Sequence, residues 1–281
     1  VFQVGGFTSE EGNLTASHIK LTSCEGDFHR GNGNVSASNF LLGGSVSMPV
    51  IKDKLSFMGS LRLSPIGLEM MAIKALSSAL DSIGRPKALV YDAFAKLKWK
   101  INDLHSFSFS AFNSVDAYGY DYGVNSEEHI QWSNLVGNLW YDGTMDDFWK
   151  IHAGLSYNHF SNVQGMVKTI GRTDSDLAIR SSIDEVILHG MANYDAGIFH
   201  FQGGIKGRYS RFNPATSQRI TGGALLMTSG TTAGNHSTDC LTGTFHLQLE
   251  AKKENRYDFR ASGRLNYCWV NRTDVQRRTG S

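Results

Sequence analysis

The dominant regularity of the chain is an alternation of apolar and polar residues with a period of two. From Ala88 to Ile101 the odd positions read Leu89, Tyr91, Ala93, Ala95, Leu97, Trp99 and Ile101, while the even ones include Asp92, Lys96, Lys98 and Lys100. Successive side chains of a strand point to opposite faces, so this segment predicts a strand with one apolar and one wet face. In His105 to Asp116, Phe107, Phe109, Ala111 and Val115 oppose Ser106, Ser108, Ser110, Ser114 and Asp116. The same split recurs in Trp149 to Asn158, Phe199 to Tyr209, Phe245 to Lys252 and Asp258 to Trp269. Less regular strands are expected at Val35 to Met48, Leu55 to Ser64, Ile130 to Tyr141 and Asp184 to Tyr194, which brings the total to about ten. The expected fold class is all-β and antiparallel.

Length and spacing then separate two kinds of all-β protein. Many of these strands run past the ~5–6 residues usual in globular sheets and suit the ~9–11 tilted residues that cross a bilayer. Tight turns are expected at Ile51 to Lys54, Ile101 to Leu104, Thr144 to Asp147, Asp195 to Gly197 and Lys253 to Arg256. Between them lie long excursions at Pro65 to Lys87, Gly119 to Glu128, Asn162 to Ser181 and Asn213 to Thr242. Short turns on one rim and long loops on the other are the organisation of an outer-membrane barrel. Tyr91 and Trp99, and again Trp149 and Tyr157, stand eight residues apart on one apolar face, and Tyr257 and Tyr267 stand ten apart. Eight residues at ~3.4 Å and a ~40° tilt give roughly 20 Å of height, close to the ~25 Å apolar band between aromatic girdles. The alternative is a soluble β-sandwich in which these aromatics anchor a core.

Composition sharpens this picture. The chain of 281 residues is 41% hydrophobic and 19% charged with net charge +1, too apolar for a disordered tail and too balanced for an electrostatic nucleic-acid binder. It holds 30 glycines and 4 prolines, where ordinary usage gives about 20 and about 14. Proline removes a ladder N–H, so its scarcity favours long strands; Pro65, Pro86 and Pro214 are expected in loops and Pro49 at a turn. Cys24, Cys240 and Cys268 are odd in number and far apart in sequence, which suggests neither a disulfide framework nor a zinc site. No run of about 18 apolar residues marks a membrane helix.

No catalytic constellation is visible, and neither a metal site nor a cofactor is expected. His152, His200 and His246 fall on wet faces and read as lumen-lining residues, and Gly203-Gly204-Ile205-Lys206-Gly207 lies inside a strand rather than in a phosphate loop. Tyr118, Tyr120 and Tyr122 follow a strand where it would leave the membrane, and are the ligand-binding candidates because exposed aromatics there can stack on a ligand. Leu68, Met71, Ala75, Leu76, Leu80 and Ile83 have helical spacing and predict an amphipathic loop helix within Gly67 to Ile83.

Pro49-Val50-Ile51-Lys52-Asp53-Lys54-Leu55-Ser56-Phe57, followed by Ser60-Leu61-Arg62, resembles the turn and second barrel strand of bacterial TonB-dependent outer-membrane receptors. Ile19-Lys20-Leu21-Thr22-Ser23 is similar to the last plug strand of that family, and Gly33 to Ser38 to the opening of its first barrel strand. Tyr91 to Leu97, Trp132-Ser133-Asn134 and Arg260 to Tyr267 are similar to its recurring strand patterns. The resemblance implies residues 1–32 as the end of a plug and its linker. It implies residues 33–281 as the N-terminal half of a transmembrane β-barrel, about ten strands of about 22.

On this resemblance the protein is a non-enzymatic receptor in the outer membrane of a Gram-negative bacterium, driven by TonB. It would take up a scarce nutrient such as a siderophore, haem, cobalamin, an oligosaccharide or a peptide. Its partners would be outer-membrane lipid, TonB through a segment outside this chain, the nutrient, and a surface lipoprotein, with no nucleic acid among them. An open sheet would leave roughly ten backbone groups unpaired in lipid, a cost on the order of tens of kcal/mol that exceeds a domain's ~5–15 kcal/mol net stability. Either strands outside this chain close the sheet or the chain curls into a smaller barrel, and a fragment of a larger barrel is expected. A passive porin or surface assembly barrel, and a soluble carbohydrate-binding sandwich, remain the competing readings.

Overall fold

The period-two pattern is realised as strand over nearly all of the described chain. The computed structural model describes residues 2–3, 18–19, 22–76, 85–121, 126–146, 148–170, 173–221, 224–226, 237–253 and 257–271. In chain order the elements are β1 (Phe2–Gln3), β2 (His18–Ile19), β3 (Asn32–Ala37), β4 (Leu42–Ile51), β5 (Leu55–Ser64), α1 (Ile66–Leu76), β6 (Arg85–Lys100) and β7 (His105–Asp121). They continue as β8 (Ser126–Thr144), β9 (Trp149–Ile170), β10 (Thr173–Ala196), β11 (Phe199–Thr221), β12 (Ala224–Leu226), β13 (Thr238–Lys253) and β14 (Tyr257–Asn271). β3 to β11, β13 and β14 form one antiparallel meander of eleven strands, each paired with the next, and β12 folds back on β11. β1 and β2 pair only with each other, and among the described residues the large sheet is open, with β3 and β14 as its edges.

Several expectations are corrected. Val35 to Met48 is not one strand: Ser38 N donates to the Leu41 carbonyl (2.8 Å) and Leu41 N to Ser38 Oγ (3.1 Å), a local serine turn that divides it into β3 and β4. Leu55–Ser64 is therefore the third strand of the sheet rather than the second. Most of the long excursions turn out to be strand. β7 and β8 pair up to Asp121 opposite Glu127, and β9 and β10 pair up to Ile170 opposite Thr173. The prolines follow suit. Pro49 sits where the β4–β5 register shifts between Pro49 and Ile51. Pro214 lies between Asn213 and Thr216, which pair across the β10–β11 shift, and Pro86 is the second residue of β6. A bulge or strand start is where a missing ladder donor costs least. The loop helix is present as α1, while residues 77–84 lie outside the described residues.

The turn rim is built locally. Asn102 Oδ1 accepts from the backbone N–H of Leu104 and His105 (2.9 and 2.7 Å), and Asp146 Oδ1 from those of Phe148 and Trp149 (2.9 and 2.8 Å). These Asx turns close the β6–β7 and β8–β9 hairpins, and Gly197 at φ +64° closes β10–β11. The Lys253 to Arg256 turn falls partly on residues outside the described ones.

Register then sorts the side chains. One face carries Leu97, Phe109, Leu139, Leu155, Leu188, Ile205, Phe245 and Leu265, all exposed, with Leu188 at 58% and Leu265 at 71%. The other carries Lys96, Lys98, Ser108, Asn138, His152, Gln202 and His246. Burial is inverted relative to a water-soluble domain. Among the described residues Ser56, Ser108, Ser210, His246 and Gln248 are buried polar side chains, and Ala251 is the one buried hydrophobic. A short apolar row, Phe94, Phe112 and Val136, interrupts the polar face.

The polar face packs by setting rings over glycines. A Cβ on Gly154 would stand 2.1 Å from the Trp140 ring, and one on Gly204 2.3 Å from the His246 ring. Only glycine permits these close approaches.

Candidate functional site

Two aromatic rows bound the apolar face. Toward the turns, Trp99, Phe107 and Tyr141 stand in one cluster, with ring centroids 6.5 and 5.1 Å apart, and Trp149, Tyr194 and Phe201 in another, at 4.8 and 6.3 Å. Toward the far rim, Tyr91, Tyr157 and Tyr209 each lie eight residues along the strand from Trp99, Trp149 and Phe201. The rows do not follow the ladders. Tyr141 pairs with Ala153, four residues from Trp149, and Ser161, not Tyr157, lies along the ladders from Tyr91. Girdles that slide through the register by the same four residues at both ends are what a tilted barrel wall produces.

Just beyond the upper row the two faces exchange character. On the formerly apolar side stand Lys87 with Glu127 (2.8 Å), His159 with Asp184 (2.7 Å) and Arg211 with Asp239 (2.9 Å). Tyr157 and Tyr209 donate their hydroxyls to Asp184 (3.0 Å) and Asp239 (2.8 Å), tying the girdle to this charged shelf. On the formerly polar side aromatic and aliphatic residues predominate, with Gln164 and Glu128 among them. Tyr118, Ile130, Gln164 and Ile179 share one row, and Tyr120, Glu128 and Met166 the next. They line a recess of about 360 Å³, and Trp132 packs edge-on against Tyr118 with centroids 6.4 Å apart. Lower on the same face, Phe160, Ile183 and Phe212 line a second recess.

The structure thus places Tyr118 and Tyr120 at an aromatic-walled recess on the polar side of the sheet, within β7 rather than in a loop. The strand persists because Ala88 and Ile130 flank Tyr118, and Pro86 and Glu128 flank Tyr120, in unbroken ladders. Tyr122 lies outside the described residues. Sequence reasoning missed Ile130, Trp132, Met166 and Ile179. Their signal was phase: Ile130 and Trp132 occupy even positions, out of step with Leu135, Leu139 and Tyr141.

The second feature is a strap near the turn rim. Residues 22–30 run along the polar face of β4 to β6. Lys96 Nζ reaches the Ser23 carbonyl and hydroxyl (both 3.3 Å), Lys98 Nζ reaches Glu25 (3.3 Å), and Lys100 Nζ stands 4.0 Å over the Phe28 ring. Asp27 N donates to Ser47 Oγ (2.8 Å), and Asp53 N donates to the Phe28 carbonyl (3.1 Å). A Cβ on Gly26 would fall 2.5 Å from the Phe57 carbonyl oxygen, so the strap lies directly on the strand backbone. The backbone N–H groups of His29 and Arg30 hold the Asp27 carboxyl below the ordinary carboxylate range.

Lys98 also reaches Asp142 (3.2 Å), whose other oxygen is 2.6 Å from His152 Nδ1. His152 stacks on Trp140 at 4.6 Å. These groups border a recess of about 580 Å³ beside the strap. The three wet-face histidines have structural settings: His152 beside Asp142, His200 beside Asp195, and His246, 1% exposed, over Gly204.

No family model matches the chain, and no curated protein matches it by sequence. Among solved structures, a bacterial polysaccharide outer-membrane secretin is similar at 8% identity over 83% of this chain and 90% of that one, with a TM-score of 0.16. A likeness that slight carries no argument, and the functional reading rests on the geometry above.

Proposed function

We propose that this chain is wall and linker of a TonB-dependent outer-membrane receptor, a non-enzymatic transporter for a scarce nutrient. The observation that carries the membrane reading is the inverted sheet. An exposed apolar face between two aromatic rows and a polar face holding the buried residues suit lipid outside and a filled lumen inside. Backbone groups in lipid must be paired, so the edges β3 and β14 meet closing strands and residues 33–281 contribute part of a larger barrel. The strap supports a receptor over a passive pore, because residues 22–30 lie across the lumen wall where a plug's exit would run. Energy coupling by TonB, and a surface lipoprotein as a further partner, rest on the family resemblance alone.

In this reading the recess at Tyr118 and Tyr120 is where the nutrient first docks. Uptake by cells carrying the full-length gene tests the proposal. Ferric siderophores, haem, cobalamin and oligosaccharides are supplied as sole scarce nutrient, with and without the gene and with and without TonB. Loss of one nutrient in both deletions supports the receptor. Uptake that persists without TonB but needs the gene contradicts it and identifies a passive pore.

A further inference from the structure

The three cysteines looked unrelated in sequence, but the fold brings two of them together. Cys240 on β13 pairs with Val270, and Cys268 on β14 pairs with Thr242, so the two stand diagonally on adjacent strands. Both belong to the polar phase, since Leu241, Trp269 and Tyr267 occupy the apolar one. Their sulfurs are 3.9 Å apart. Cys268 is exposed, Cys240 is half-buried beside Ser210, and Cys24 is exposed on the strap.

We propose that Cys240 and Cys268 are a redox pair that closes to a cross-strand disulfide on the lumen side of the β13–β14 hairpin, level with the upper aromatic row. The sulfurs already stand 3.9 Å apart on one face of neighbouring strands, so side-chain rotation with a small backbone adjustment of the hairpin brings them to bonding distance with no change of register. The setting that would oxidise them follows from the proposed outer-membrane location, where disulfides persist. The oxidant is a disulfide, carried by a periplasmic dithiol–disulfide exchange protein or by a small molecule such as oxidised glutathione. The exposed Cys268 thiolate attacks one sulfur of that disulfide, forming a mixed disulfide and releasing one thiolate. The Cys240 thiolate then attacks the Cys268 sulfur, the Cys268–Cys240 bond forms, and the second thiolate leaves. The protons of the two cysteines end on the two departing thiolates, so the oxidant gains two electrons and the hairpin loses two. The clasp ties the exposed edge strand β14 to the sheet.

The test is a thiol count on the full chain purified in detergent, treated with oxidised glutathione, denatured in excess alkylating agent and weighed intact. The expected result is a linked peptide containing Cys240 and Cys268, with Cys24 the one cysteine outside the link, either alkylated or carrying one glutathione. The C240S variant is expected to trap glutathione on Cys268, because the resolving thiol is gone. Three alkylated cysteines, a link through Cys24, or glutathione retained on the unmodified pair in the parent protein would each overturn the proposal. The count does not depend on the membrane reading: a chain soluble without detergent would contradict the proposed location while the thiols are still read as paired or free.

Discussion

At Gly154 the neighbouring strand's Trp140 ring fills the space that any other side chain would need. Gly154→Val should force that ring off its site at a cost of about 1–3 kcal/mol. Gly137, with nothing within 4 Å of an added Cβ, is the control, and Gly137→Ala should be nearly neutral. Both are read as the temperature at which the detergent-folded form loses its compact migration in unheated electrophoresis. Asp195 offers a pH test. His200 and then Lys150 hold its carboxyl below the ordinary range at the β10–β11 turn, so the folded value is the depressed one. The stability it contributes is therefore present above about pH 4 and lost as pH falls through the folded value. Asp195→Asn should therefore lower stability at neutral pH and flatten that acid limb, so that the two proteins converge in acid.

At the recess, Tyr118→Ala and Tyr120→Ala should each weaken capture of the nutrient found by the uptake panel. Loss of an aromatic contact of about 0.5–1.5 kcal/mol corresponds to about two- to tenfold in affinity by titration calorimetry. Tyr118 and Tyr120 were legible as aromatics near a rim, but Met166 and Ile179 were not. They reach the recess only through the β8–β9 and β9–β10 registers, which residue spacing within one strand does not encode.

Among the elements, the best-predicted ones are those with one face uniformly apolar. β6, β7 and β9 follow their expected alternation because the apolar phase stays fixed between the two aromatic rows. The extension of β7 to β11 past the upper row was read as loop because its phase reverses there, and a period-two template tied to one face loses a strand at that point. From Asn158 to Ile170, β9 continues for 13 residues, about 44 Å at ~3.4 Å per residue. The sorted faces make opposite predictions for neighbouring positions. Ile205, 56% exposed and midway between Phe201 and Tyr209, faces lipid in this account, so Ile205→Arg should cost about 2–4 kcal/mol of folding stability in lipid. Gln202→Lys, on the lumen face, should be tolerated. In a soluble sandwich an exposed Ile205→Arg would cost almost nothing.

On the scale of the whole molecule, the glycine excess, the proline scarcity and the balanced charge all describe one wall: long strands, polar on one face and apolar on the other, with edges at β3 and β14 that are open among the described residues. What makes the wall a membrane wall is the medium each face meets, and that can be read directly. In a variant with Cys24, Cys240 and Cys268 replaced by Ser, single cysteines at positions 202, 203, 205, 206, 207 and 208 would carry an environment-sensitive fluorophore in reconstituted bilayers, Gly204 being left intact beneath the His246 ring. Lipid-tail quenchers should quench positions 203, 205 and 207 and a water-soluble quencher positions 202, 206 and 208. Equal access of the water-soluble quencher to both sets would contradict the account.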